Sequence, residues 1–298
     1  MKMNQPVRKI VEVDGSEVSA LEAGPEEGLP VVCVHGIPTG AELWRDVITR
    51  LAAAGYRAYA PDMPGYGQTR MKAGGDYSLA GAAELIASWM QKKDIAPAAL
   101  VAHDIGGGAV EILSVRYPEI VDQIVFSNAI VGDSWPVAPV RMLKWLAKMR
   151  LFSIIAASGL HHIDPYLHHQ LKRSFADPKL AGREEIRSRI FFDGKMVTAV
   201  GRKGFARHLN ALDNTQTKAV EPQLAELDVS VLLLWGGHDP FQPWQGPGKR
   251  LQEWFPHAEV EILDNTGHFL MLDQPGAYAE RLICWLDAEC EKVDSRFP

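Results

Sequence analysis

The stretch Leu100-Val-Ala-His-Asp-Ile-Gly-Gly-Gly-Ala109 constrains the fold of this 298-residue chain more than any other. A short apolar run, Ala98 to Ala102, ends on His103-Asp104, and Gly106, Gly107 and Gly108 then open a helix. Small residues are needed where a strand turns straight into a helix, because the two backbones crowd together there. Such a turn lifts its apical residue above the edge of a sheet, and here that residue is Asp104. In an alternating strand His103 points the opposite way, which gives it a structural role. The glycine spacing lacks G-x-G-x-x-G, so a dinucleotide loop is set aside.

The flanking segments supply the rest of the sheet. Val7–Val13 and Val18–Glu22 bracket Asp14-Gly15, a two-residue hairpin signal. Pro30–Val34 is continuously apolar, as a strand buried on both faces must be. Glu42–Ala54 repeats apolar residues at helical spacing and stops at Gly55; Tyr56–Ala60 reads as a strand and Leu79–Lys93 as a helix. Ile105–Tyr117 is a helix stopped by Pro118, and Ile124–Ser127 is a strand. Val229–Trp235 and Val260–Leu263 return as strands around Gly246–Trp254, and Pro275–Glu289 is a closing helix. Strands alternating with helices predict an α/β fold with a mostly parallel, doubly wound sheet. Between its halves lies a stretch with no clear strand. The expected division is a core of 1–130 and 223–298 with a helical cap, 131–222, over the carboxyl ends of the strands. Within it Met142, Trp145, Met149 and Phe152 fall at helical spacing, and Trp135, Trp145 and Met149 are expected to border an apolar pocket.

Three residues in chain order carry the chemistry. Asp104 tops the turn, Asp239 follows an apolar strand in Trp235-Gly-Gly-His-Asp-Pro240, and His268 stands in Asn265-Thr-Gly-His-Phe269. Nucleophile, acid and histidine in that order form a catalytic triad on a sheet edge. His35-Gly-Ile-Pro38 follows a buried strand, so the backbone N–H groups of Ile37 and Ile105 are the expected oxyanion hole, with His35 stabilising its turn. An aspartate nucleophile changes what can be attacked. A serine that displaced a group from a saturated carbon would be left as an ether, whereas a carboxylate leaves an alkyl ester that water can cleave. No Gly-x-Ser-x-Gly occurs, and Ser114 and Ser127 lack that context.

Taken together, His35-Gly-Ile-Pro38, Leu43-Trp44, Asp62-Met-Pro-Gly-Tyr-Gly67, the turn at Asp104, Asp239 and His268 resemble the α/β-hydrolase fold family in its Asp-nucleophile branch, that of epoxide hydrolases and haloalkane dehalogenases. The resemblance implies a cofactor-independent hydrolase acting through an alkyl-aspartyl ester, with His268 and Asp239 activating water. Dehalogenases of that branch hold halide with a tryptophan after the nucleophile and an asparagine in the His-Gly-x-Pro turn; here both positions are isoleucine, Ile105 and Ile37. Some place the triad acid after strand six, where this chain has Asn128. Epoxide hydrolases protonate the opening oxygen with cap tyrosines, one sometimes replaced by histidine, and the matching candidates are Tyr166 and His208. Epoxide hydrolysis to a diol is therefore the leading expectation. The alternatives are a haloalkane or haloacid dehalogenase with other halide donors, or a ligand-binding protein on a hydrolase fold.

Composition bounds the partners. With 47% hydrophobic residues the chain can bury a sizeable core, and a net charge of −6 argues against nucleic acid and anionic membranes as partners. Three irregularly spaced cysteines and no apolar run of about 18 residues are read as a soluble, cytoplasmic protein. His161, His162, His168 and His169 cluster without ligand-like spacing, so no metal is expected. A small apolar organic substrate and water are the expected partners, and a homodimer is left open.

Overall fold

The computed structural model describes residues 5–158, 165–187 and 198–294. One sheet has eight strands in the order β1-β2-β4-β3-β5-β6-β7-β8: β1 (Val7–Val13), β2 (Ser16–Ala23), β3 (Pro30–Val34), β4 (Arg57–Pro61), β5 (Ala98–His103), β6 (Val121–Ser127), β7 (Ser230–Gly236) and β8 (Glu259–Leu263). The hairpin β1–β2 joins β4 antiparallel, and every pairing from β4 to β8 is parallel. Parallel strands need crossovers, and α1 (Arg45–Ala53), α2 (Leu79–Lys92) and α3 (Ile105–Arg116) provide the first three. A short 3-10 turn, Ala41–Trp44, leads into α1, so the expected single helix from Glu42 is two elements.

Alternation along the central strands sorts the core into two layers. Val32, Val34, Leu100, Ala102, Ile124 and Phe126 pack on one face. Val31, Cys33, Ala99, Val101 and Val125 pack on the other. Both sides are covered by helices, which is why β3 is apolar throughout and β5 and β6 are apolar over Ala98–Ala102 and Ile124–Phe126.

Between β6 and β7 the described elements are all helical: α4 (Ala138–Lys148), α5 (Phe152–Ser158), α6 (Pro165–Arg173), α7 (Ala199–Ala211) and α8 (Thr215–Leu224). After β7 come α9 (Lys249–Trp254), then β8, α10 (Leu270–Asp273) and the long α11 (Pro275–Asp294). The expected stripe of Met142, Trp145, Met149 and Phe152 does not form one face. Arg150, at φ 59°, turns the chain after α4, so Phe152 is buried on α5 while Trp145 and Met149 face outward. The inner face of α4 is instead set by Val140 and Ala147.

Candidate active site

Asp104 caps the junction of β5 and α3 at φ 52°, ψ −124°, a region that costs a non-glycine residue of order 1–3 kcal/mol and persists only where the surroundings enforce it. The enforcement is steric. A side chain on Gly106 would place its Cβ 2.5 Å from the carbonyl oxygen of His35, and one on Gly36 would sit 2.5 Å from the Cβ of Asp104. Only glycine lets the β3 turn and the start of α3 close around the carboxylate. The backbone N–H of Ile37 donates to Asp104 Oδ2 at 3.0 Å, and the N–H of Ile105 also donates to this carboxylate.

The imidazole of His268 faces both carboxylates. Its Nδ1 lies 2.8 Å from Asp239 Oδ2, and its Nε2 lies 4.0 Å from Asp104 Oδ2, too far for a hydrogen bond. Asp239 Oδ1 accepts from the N–H groups of Phe241 and Gln242, so its loop fixes the carboxylate that fixes the imidazole. Two further side chains hold the His268 backbone. Asn128, at the end of β6, donates through Nδ2 to the carbonyls of Gly267 and His268 and accepts from the N–H of Gly236 at Oδ1. His103 Nε2 binds the His268 carbonyl at 2.9 Å, and the two rings meet at a tilt of 53° with centroids 4.7 Å apart. His35 accepts from the N–H of Met63 at Nε2 and binds the Gly36 carbonyl through Nδ1, which stabilises the turn carrying Ile37.

Electrostatics follow from burial. Desolvation pushes the Asp104 carboxyl up to about 6, against the pull of His268 and the two N–H groups. Burial draws the His268 imidazole down, but Asp239 and then Asp104 outweigh it and its pKa lies above the ordinary histidine value. His103, buried beside His268, is held well below that value and stays neutral. At neutral pH Asp104 is therefore mostly an anion whose carboxylate is held by backbone donors.

A protein-family model described as the alpha/beta hydrolase fold matches residues 30–275. The chain belongs to the alpha/beta hydrolase fold family. Among curated relatives it is 25% identical over 282 residues to a haloalkane dehalogenase of Mycobacterium marinum, covering 89% of this chain and 87% of that protein. It is also 25% identical over 300 residues to bifunctional epoxide hydrolase 2 of Sus scrofa, covering 90% of this chain and 53% of that protein. An alpha/beta hydrolase fold protein from Burkholderia ambifaria superposes with a TM-score of 0.77 at 21% identity, over 93% of this chain and 99% of that one. Both curated relatives bear names from the Asp-nucleophile branch of this hydrolase family.

In this hydrolase a cavity of about 130 Å³ opens on Asp104 and His268. Its core walls are Ile37, Pro38, Phe241, Gln242 and Phe269; α4 and the residues before it add Val137, Pro139, Val140 and Leu143, and α6 and its end add Gln170, Leu171 and Ser174. An apolar cavity of about 150 Å³ holds one benzene, so the space suits a molecule of that order. Among the described residues that line it there is no lysine or arginine.

Several expected residues lie elsewhere. Tyr166 is 40% exposed on α6, one turn before Gln170, and does not line the cavity. His208 is fully buried against Tyr66, with Nδ1 on the Tyr77 carbonyl at 2.8 Å, and is also absent from the lining. Burial lowers its pKa to about 4, so it is neutral. Trp135 is buried with its indole donating to Thr217 Oγ1, while Trp145 and Met149 face outward; none of the three borders the cavity. His161 and His162 lie outside the described residues, and no group of three potential metal ligands occurs among the described ones.

Two lining residues had no signal in the sequence beyond their polarity. Gln242 is 1% exposed and its Oε1 has no partner, and neither its side-chain amide nor that of Gln170 hydrogen-bonds to a described residue. Ser174 Oγ, by contrast, is committed to the Gln170 carbonyl.

Proposed function

We propose that this hydrolase cleaves small, uncharged organic substrates by displacement at a saturated carbon, through an ester on Asp104, with residues 131–222 as the cap over the site. The observation that carries this reading is an aspartate, not a serine, at the strained apex, with Oδ2 held by the N–H of Ile37 and the carboxylate also by that of Ile105. The other carboxylate oxygen attacks the carbon, the bond to the leaving group breaks, and that group departs with the electron pair. Water then adds to the ester carbonyl. His268 Nε2 takes its proton, Asp239 supports the imidazolium, and the same two N–H groups hold the oxyanion. Collapse releases the alcohol and restores the carboxylate.

Attack itself readies the base. Asp104 is one of the charges that raise the His268 pKa, and esterification removes that charge. The imidazole then gives up its proton more readily just when a base is required.

The lining bears on the leaving group. An epoxide opens to an alkoxide that must be protonated, and neither Tyr166 nor His208 reaches the cavity. A halide leaves as a stable anion and needs only donors, which the amides of Gln170 and Gln242 offer. The described residues of the lining include no cation, which favours neutral haloalkanes over haloacids. This reading supports carbon–halogen bonds ahead of epoxides.

A single turnover with excess enzyme in heavy-oxygen water tests the mechanism. The expected first alcohol carries light oxygen from Asp104, and His268→Gln accumulates the alkyl-enzyme, seen as added mass on the intact protein. Solvent oxygen in the first product would make Asp104 a general base and end the covalent reading. Matched bromoalkanes, 2-bromoacids and epoxides of two to six carbons decide the leaving group, by bromide or diol release.

A further inference from the structure

The outer surface of the inserted helices differs from the rest of the chain in charge. Residues 138–158 carry Arg141, Lys144, Lys148 and Arg150, residues 198–212 carry Arg202, Lys203 and Arg207, and neither stretch contains an aspartate or glutamate. The acids that flank them in the chain are Asp133, Asp164, Asp193 and Asp213. Seven positive charges there leave −13 on the remaining residues, the difference between −6 and +7. Arg141, Lys148, Arg150 and Lys203 are exposed and form no ion pair with a described residue.

Large apolar side chains stand out of the same helices. Trp145 is 56% exposed, Ile154 65% and Val200 58%, with Met149 and Leu151 beside them. On α4 the exposed face runs Arg141, Trp145, Lys148, Met149, which are neighbours at helical spacing, while Val140 and Leu143 on the other side line the cavity. The helices that carry these groups are neighbours, packed on one another through α4–α7 and α5–α7 contacts.

From this juxtaposition we propose that the outer face of α4, α5 and α7 docks on an anionic lipid surface. Cations with long apolar stems, beside a tryptophan and aliphatic residues, match a headgroup layer: the charges meet phosphates while the apolar groups enter the acyl boundary. The excess negative charge elsewhere turns this face toward an anionic bilayer. A second copy is a poorer occupant, because a twofold interface here would set the same cations against each other. Nucleic acid would match the charge but leave Ile154, Met149 and Val200 in water. Docked in this way, the cavity lies one helix away from the phase in which small apolar molecules concentrate.

Co-sedimentation of the full chain with vesicles tests the proposal. Binding to phosphatidylglycerol vesicles at low salt is expected to be at least about tenfold tighter than to phosphatidylcholine vesicles, and to be largely lost in about 0.5 M salt. The triple variant R141E/K148E/K203E should weaken it about a hundredfold, taking about 1 kcal/mol for each basic residue. The variant W145S/M149S should weaken it while leaving the salt dependence in place. Thermal melting of both variants shows that they fold. Equal binding to the two lipids, or no effect of charge reversal in a folded variant, overturns the proposal. A dimer that W145S/M149S converts to monomer in light scattering overturns it too, and makes this face a contact between copies.

Discussion

Two regions meet at the cavity, and they bring their side chains there by different means. The core contributes Asp104 from the end of β5 and His268 from the loop after β8, with Asp239, from the loop after β7, behind the imidazole. Each is held by backbone: the N–H groups of Ile37 and Ile105 on Asp104, those of Phe241 and Gln242 on Asp239, and the Asn128 and His103 clamps on the His268 carbonyl. The insertion contributes Val140, Leu143, Gln170 and Leu171, held by the packing of helices on one another. A strand end in a parallel sheet has few ways to point. A helix can turn any of its faces inward, and which one it turns depends on its neighbours.

The comparison predicts steep losses for changes in the core and graded ones in the insertion. Asp239→Asn should slow ester hydrolysis by about 10³- to 10⁴-fold, because His268 loses its orientation and its counter-charge. The first step should be largely spared, so rapid-mixing mass spectrometry should find the alkyl-enzyme. Rapid loss of both steps would mean that Asp239 holds the whole site together and not only its base.

Next in size are the two amides. Gln242→Leu and Gln170→Leu should each lower haloalkane turnover by about ten- to a hundredfold, more for chloride than for bromide, since the poorer leaving group leans harder on its donors. Equal losses for both halides would point to simple repacking of the cavity wall.

The pH dependence of attack follows from the raised Asp104 carboxyl. Only the anion attacks, desolvation has moved its pKa up to about 6, and His268→Gln removes one group that holds it down, so the rate of adduct formation in that variant should level off only above neutrality. Well below the pKa it should fall by about tenfold per pH unit. A rate still flat at pH 5 would show that substrate binding restores the ordinary carboxylate range.

The smallest effects belong to the residues outside the cavity. Tyr166→Phe should change turnover of any substrate by less than about twofold, whereas a general acid would cost at least about a hundredfold. A large loss on epoxides alone would bring Tyr166 back to the site and reverse the order of the two substrate classes.

These contrasts match what could be read along the chain. The hairpin at Asp14-Gly15, the apolar central strands, the turn at Asp104 and the order Asp104, Asp239, His268 rest on local rules: period two, glycine where backbones crowd, and short connections. Asn128 was legible as the residue after β6, but its grip on the carbonyls of Gly267 and His268 was not, since those partners are brought together only by the fold. In the insertion the aromatic stripe from Met142 to Phe152 has correct spacing and the wrong consequence, because Arg150 breaks the helix before it can present one face. Net charge is coarse in a similar way. A total of −6 averages over a strongly basic outer surface, and averages carry no positions.

By itself, then, the sequence determined the sheet, the carboxylate at its edge and the chemistry that carboxylate permits, because backbone geometry ties those features to residues close in the chain. Tertiary structure alone decided which helix faces line the cavity, that Gln170 and Gln242 are its free polar groups, and that Tyr166 and His208 stand apart from it. Those outcomes depend on which of several apolar faces packs inward, a choice made by contacts between segments far apart in sequence.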